Sequence, residues 1–229
     1  VNESVMRAPE ALRFRAIARS VGETIRRRPV AILIPAGVIG ALVDALELSK
    51  HHLLDYLMLA LVIAIVFEFY IGYVELLLIE MESDRPRSAP TRVVRGALGL
   101  VPSLLAASVL AVSLPLGATG LLVIPGLWLA TRWSLFAPAI AKERLRPLDA
   151  IRRSNQLVRG RFWAVFVTVT MSLLIEHAVI HATALEAGPL LGSTAIALAV
   201  TAVAVAAVSA PAAVTISLVY DRLAASSST

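Results

Sequence analysis

An all-α, polytopic membrane protein with six transmembrane helices in three hairpins is the fold class this sequence predicts, on three observations. The 229 residues are 58% hydrophobic and only 16% charged, with a mean hydropathy of +0.81. A soluble domain is about half apolar and about a quarter charged. The apolar residues gather in long blocks, and the basic residues gather between alternate blocks. A hydrocarbon core ~30 Å thick is crossed by roughly 20 residues rising 1.5 Å each. Backbone groups in lipid have no water to bond, so each block is read as a helix.

In chain order, residues 1–28 form a basic amphipathic lead. A transmembrane domain over 29–220 follows, with spans at about 29–47, 53–80, 97–115, 117–141, 162–183 and 189–219. A cytoplasmic helix is expected at about 144–161, and 221–229 form a short tail. The first block follows an arginine-rich lead and lacks the short apolar stretch and small-residue site of a cleaved leader, so it reads as a retained helix. Before it, Phe14, Ile17, Val21 and Ile25 repeat at helical spacing among arginines. Leu148, Ile151, Val158 and Phe162 do the same before the fifth span, behind Pro147 at a natural helix start. Ala16-Ile17-Ala18-Arg19-Ser20 parallels Ala150-Ile151-Arg152-Arg153-Ser154, and Val94-Arg95-Gly96 echoes Val158-Arg159-Gly160.

Charge placement sets the expected orientation. Nineteen of the 21 Lys and Arg residues fall in the lead, the second and fourth connections, and the tail. Lys50 alone is on the opposite side, and Arg132 lies within a span. Basic residues near span ends mark the cytoplasmic side, which puts both termini there, in the cell membrane. Arg19, Arg26, Arg27, Arg28, Arg152, Arg153, Arg159 and Arg161 are the candidates for contact with an anionic leaflet, each worth ~1 kcal/mol near it. Topology thus accounts for the net charge of +5, and no nucleic-acid partner is needed.

The connections opposite the arginines are short: Glu47 to Asp55, a tight turn around Pro115 and Gly117, and a stretch past Glu186, Gly188 and Pro189. Ile34-Pro35-Ala36-Gly37 in span one and Ile124-Pro125-Gly126 in span four interrupt helices of opposite direction, as an inverted-repeat transporter would. Pro and Gly are also frequent in ordinary membrane helices. Span six, from Ala195 to Ala213, is almost wholly small or β-branched, which lets helices approach closely.

Ionisable residues inside a span are costly, ~2.5–3.5 kcal/mol each on insertion scales, and face partners. Glu68, Glu75, Arg132, Glu176 and His177 are the instances. Glu68 and Glu75, seven apart, share a helix face, and Arg132 is expected to pair with one of them. Such a pair fixes helix register or carries a proton or ion. His177 and His181 stand one turn apart, as metal ligands on a helix do, with Glu47, Asp55 and Glu186 as further donors. The order His-Glu-x-x-His of zinc proteases is missing. There are no cysteines, which excludes disulfides and thiolate chemistry. No phosphate-binding glycine loop or nucleophile elbow occurs, and no cofactor is expected.

The stretch from Pro125 to Trp163 carries a Pro-Gly start, Arg132-Trp133, Ala137-Pro138 and Lys142-Glu143. Ala150-Ile151-Arg152-Arg153-Ser154, Leu157, Gly160 and the pair Phe162-Trp163 follow. Near the end stands Val219-Tyr220-Asp221-Arg222-Leu223. These features resemble the membrane-domain family of glycerophosphoryl diester phosphodiesterases and its six-helix bacterial and archaeal relatives. The resemblance implies the six-span plan. It brings no chemistry, since the phosphodiesterase domain of the family's named members is missing and no catalytic residue maps onto this chain. The sequence therefore points to a non-enzymatic membrane subunit contacting lipid, a partner membrane protein or further copies of itself. The competing reading is a small transporter using the Glu/Arg set.

Overall fold

The computed structural model describes residues 14–47, 53–83, 90–121, 123–176, 178–179, 182–183 and 194–227. Helix is the only regular structure among them. Ten helices follow one another: α1 (Phe14–Arg27), α2 (Pro29–Glu47), α3 (Leu53–Glu82), α4 (Pro90–Leu98), α5 (Val101–Leu121), α6 (Val123–Trp133), α7 (Phe136–Glu143), α8 (Pro147–Val158), α9 (Phe162–Glu176) and α10 (Thr194–Ser227). Pro29, Pro90 and Pro147 open α2, α4 and α8, where a missing N–H costs no helical bond and the fixed φ suits the first turn. Arg26 and Arg27 close α1, placing positive charge at the negative end of its dipole.

Among the described residues, Leu61–Glu82 and Ala195–Ser227 are each long and apolar enough to cross a membrane. The number rises to four if two bent pairs each count as one span. The six separate spans expected from the sequence are thus not reproduced one for one, and the breaks have physical causes. The third block divides at Gly99–Leu100, where α4 and α5 meet at 51°. The fourth divides at Ser134–Leu135 into α6 and α7. Pro138 lacks an N–H, and its ring clashes with the carbonyl four residues back, that of Ser134, so the helix cannot run through. The fifth is turned 106° from α8. Gly160 makes that corner at φ +82°, a conformation that favours glycine. Its residues 166–170 form a π turn. The tight turn expected at Pro115 and Gly117 is also corrected, because α5 runs helical to Leu121. Proline is tolerated inside membrane helices when neighbours re-satisfy the freed backbone.

Two long helices organise the packing. α10 rests against α1, α2, α3, α7, α8 and the π turn of α9, and α3 against α2, α4, α5, α7 and α10. Tyr70, Ile71, Val74, Leu104, Phe136, Ile140, Ile216 and Val219 are all but fully buried between them. The outer faces are apolar as well: Val30, Ile34 and Val38 on α2 and Ile196 and Val203 on α10 remain exposed. The small residues of the last helix do bring it close to a neighbour. A Cβ on Gly40 of α2 would stand 2.6 Å from Val205 Cβ, and one on Gly37 would touch Ala206.

The amphipathic lead helix buries Ile17, Val21 and Thr24 and exposes Arg15, Arg19, Arg26 and Arg27. Its apolar side packs on α10, so the arginines are what it presents outward. Helix α8 likewise buries Ala150, Ile151, Ser154, Leu157 and Val158, with Arg152 and Arg159 exposed.

Candidate functional site: a polar cluster at the arginine-rich end

Three polar devices hold the helices together, and each answers a need set by the sequence. The first serves α2. Pro35 has no N–H for the carbonyl of Ala31, its partner in a regular helix. Tyr73 of α3 donates its hydroxyl to that carbonyl at 3.0 Å, and Tyr70 donates to the next one, Ile32, at 2.7 Å. The second serves the α6–α7 break. Ser154 of α8 donates to the carbonyl of Arg132 at 2.9 Å and accepts from the amide of Leu135 at 3.1 Å. One buried hydroxyl thereby satisfies two of the backbone groups that the break sets free.

The third device joins the ends of α3, α7, α8 and α10. Lys142 is paired with Asp221 and lies 3.9 Å from Glu75 Oε1. Glu143 accepts from Tyr220 and from Arg153, the latter at 3.0 Å. Two adjacent pairs, Lys142-Glu143 and Tyr220-Asp221, are thus matched donor to acceptor across two helices. Burial works against the Lys142 charge, but its hydrogen bond to Asp221 and the charges of Asp221, Glu75 and Glu82 outweigh it and hold its pKa above the ordinary lysine value. Around this cluster, Arg28 pairs with Glu80 at 3.5 Å, Arg161 donates to Ser226 and Arg222 to Ser20, each at 2.8 Å.

The intramembrane candidates are not brought together as expected. Arg132 pairs with neither Glu68 nor Glu75; its guanidinium lies over Trp128, 4.5 Å from the ring centroid. The break at Ser134 is the reason, since it leaves Arg132 at the end of α6 rather than deep in a continuous span. Glu75 instead meets Lys142 and, from α10, Ser217 and Asp221. Glu68 has one enclosed oxygen without a hydrogen-bond partner. Glu176 is buried and accepts from Ser209 of α10. His177 and His181 lie outside the described residues, as do Glu186 and the histidines at 51 and 52. Among the described residues no group of three His, Asp or Glu side chains could hold a metal ion. Of the basic surface candidates, Arg19, Arg26, Arg27, Arg152 and Arg159 are exposed, whereas Arg28, Arg153 and Arg161 turn toward partners on the protein.

Sequence reasoning missed the matched dipeptides and the tyrosine and serine donors. One signal was available: a charged pair at the end of an apolar block on the arginine side, at Lys142-Glu143 and again at Asp221. The other was each proline that orphans a carbonyl four residues earlier.

Fold and site together define an all-helical protein with apolar helices compatible with membrane insertion, stitched by polar contacts at one end. No family model, curated protein or solved structure matches the chain. The resemblance to the phosphodiesterase membrane-domain family therefore rests on the residues quoted for it.

Proposed function

We propose that this chain is a six-span membrane protein with both termini in the cytoplasm, acting as a non-enzymatic accessory or scaffold subunit against lipid or a partner membrane protein. The observation that carries the reading is the pairing of Lys142-Glu143 with Tyr220-Asp221. The charged groups at this end bind one another across helices, which fixes packing, rather than converging on a substrate-sized polar pocket. The proline argument for a transporter also weakens. Pro35 lies in mid-helix with its orphaned carbonyl occupied by Tyr73, whereas Pro125 lies in the first turn of α6, where proline costs little. The two interruptions are not equivalent.

Native mass spectrometry of protein extracted gently from its own membrane tests the proposal. A defined protein partner or a regular oligomer is the expected result. A monomer carrying one small solute at unit stoichiometry would overturn it. Orientation is tested by labelling, for which the cysteine-free sequence is a ready background. Single cysteines at Ser20, Asn155 and Ser226 should react only from the cytoplasmic side, and one at Gly188 only from outside.

The transport reading keeps one supporting observation: Glu68 and Glu75 share a face of α3 and hold enclosed oxygens without hydrogen-bond donors. Proton flux into liposomes that vanishes in Glu68→Gln and Glu75→Gln would favour it.

A further inference from the structure

The elbow between α4 and α5 makes a groove that the polar cluster does not use. Beside the 51° bend, Ile65, Val66 and Phe69 of α3 face Leu98, Val101 and Leu105 around a volume of about 270 Å³. The lining is apolar, and Leu98 and Leu105 stay 57% and 42% exposed, so the groove opens sideways. Helix α4 carries Arg92 and Arg95, both exposed, and no acidic residue. Arg95 precedes Leu98 by three residues, which sets it on the same helix face as a groove-lining side chain. Neither arginine takes part in an ion pair or hydrogen bond among the described residues, in contrast to Arg28, Lys142 and Arg153.

An apolar slot with Arg95 one helical turn along α4 from its Leu98 wall and Arg92 a further turn on, neither of them paired among the described residues, has a definite chemical complement. It needs an apolar chain joined to an anion, and arginine suits phosphate oxygens in particular. The geometry points to an anionic glycerophospholipid, with one acyl chain in the α3–α5 groove and its phosphate against Arg92 and Arg95. Any lipid brings the chain; the arginines select net negative charge. The inference rests on the proposed membrane setting, in which this end faces the anionic leaflet, and it names one lipid site there.

The test uses the full chain in phosphatidylcholine vesicles doped with photoreactive phosphatidylglycerol, and with photoreactive phosphatidylcholine in parallel. Crosslinked peptides are mapped by mass spectrometry. The glycerol lipid should label the α3 and α5 peptides that line the groove. Leu105→Trp, which fills it, should abolish that labelling, and Leu110→Trp, on α5 beyond the groove, should leave it intact. Where Leu105→Trp does not fold, Leu98→Trp at a more exposed position replaces it. Arg92→Gln with Arg95→Gln should lower the preference for phosphatidylglycerol roughly tenfold or more, and lysine at both positions should restore most of it. Label spread evenly over α2 and α10, or a preference unchanged in the double glutamine variant, would overturn the assignment. The subunit reading stands or falls separately, on the partner masses released from the native membrane.

Discussion

The two halves of α10 belong to one unbroken helix and are held in opposite ways. From Ala195 to Val208 the helix is small and β-branched, leaves Ile196, Val200 and Val203 exposed, and meets α2 by close approach at Gly37 and Gly40. From Ala210 to Leu223 it carries Thr215, Ser217, Asp221 and Arg222 among its apolar residues, leaves no side chain exposed, and binds α7 through Tyr220 and Asp221. Steric fit secures the first half, and polar contacts are added to it in the second. The difference arises in the neighbours. Among the described residues, the first half closes on α2 at Gly37 and Gly40, whereas Ser20 of α1, Glu75 of α3 and Lys142 and Glu143 of α7 meet the second. Within a membrane, close packing and hydrogen bonds are the forces that remain once hydrophobic burial no longer distinguishes lipid from protein.

At the polar end of the bundle, around the second half of α10, the largest effect is expected from Ser154→Ala. It strands the Arg132 carbonyl and the Leu135 amide together, at a cost of about 2–4 kcal/mol, measurable as a fall in reversible unfolding free energy in lipid or detergent. Gly40→Ala breaks the other half by overpacking against Val205, costing about 1–3 kcal/mol. Val205→Ala in the same chain should recover most of that loss, which a polar change would not allow. Because the two sites share no partner, Ser154→Ala and Gly40→Ala combined should add within about 0.5 kcal/mol. A large coupling would mean that the halves of the molecule are not independent.

Tyr73→Phe is a smaller test, at about 1 kcal/mol. Its effect should shrink in a Pro35→Ala background, where a restored backbone N–H reaches the Ala31 carbonyl. Equal costs in both backgrounds would detach Tyr73 from the proline. Arg132→Gln should be mildest, losing about 0.5–1 kcal/mol of cation–π attraction to Trp128. Loss should be no greater when Glu68→Gln is added. A strong dependence on Glu68 would restore the ion pair that the geometry does not contain.

The helical class and the approximate ends of α2, α3 and α8 were legible in the sequence, because apolar blocks, basic boundaries and prolines at first turns are local signals, whereas the last helix runs on to Ser227 through the residues expected as a tail. The amphipathic faces of α1 and α8 were legible too, since Ile17, Val21 and Ile151 recur at helical spacing. The inner and outer faces of α2, α3 and α10 were not. Lipid and protein both accept apolar side chains, so these helices carry almost no periodic contrast. The break at Ser134 could have been read from Pro138. The interlock of Lys142, Glu143, Tyr220 and Asp221 could not be located, because it joins residues 77 to 79 positions apart. Arg132 misled because its expected pairing with Glu68 or Glu75 assumed one continuous span, which the break at Ser134 divides.

The Ser154 contacts also impose an order in time. Helices α6 and α7 leave the ribosome before α8, so the break between them is made before the hydroxyl that bonds its Arg132 carbonyl and Leu135 amide has been synthesised. The donor and acceptor that close them arrive 19 to 22 residues later. Until residue 154 has been synthesised and α8 has packed against α6 and α7, this part of the protein is unfinished. A nascent chain arrested just before that serine should therefore be the form that quality-control proteases or insertion chaperones recognise best.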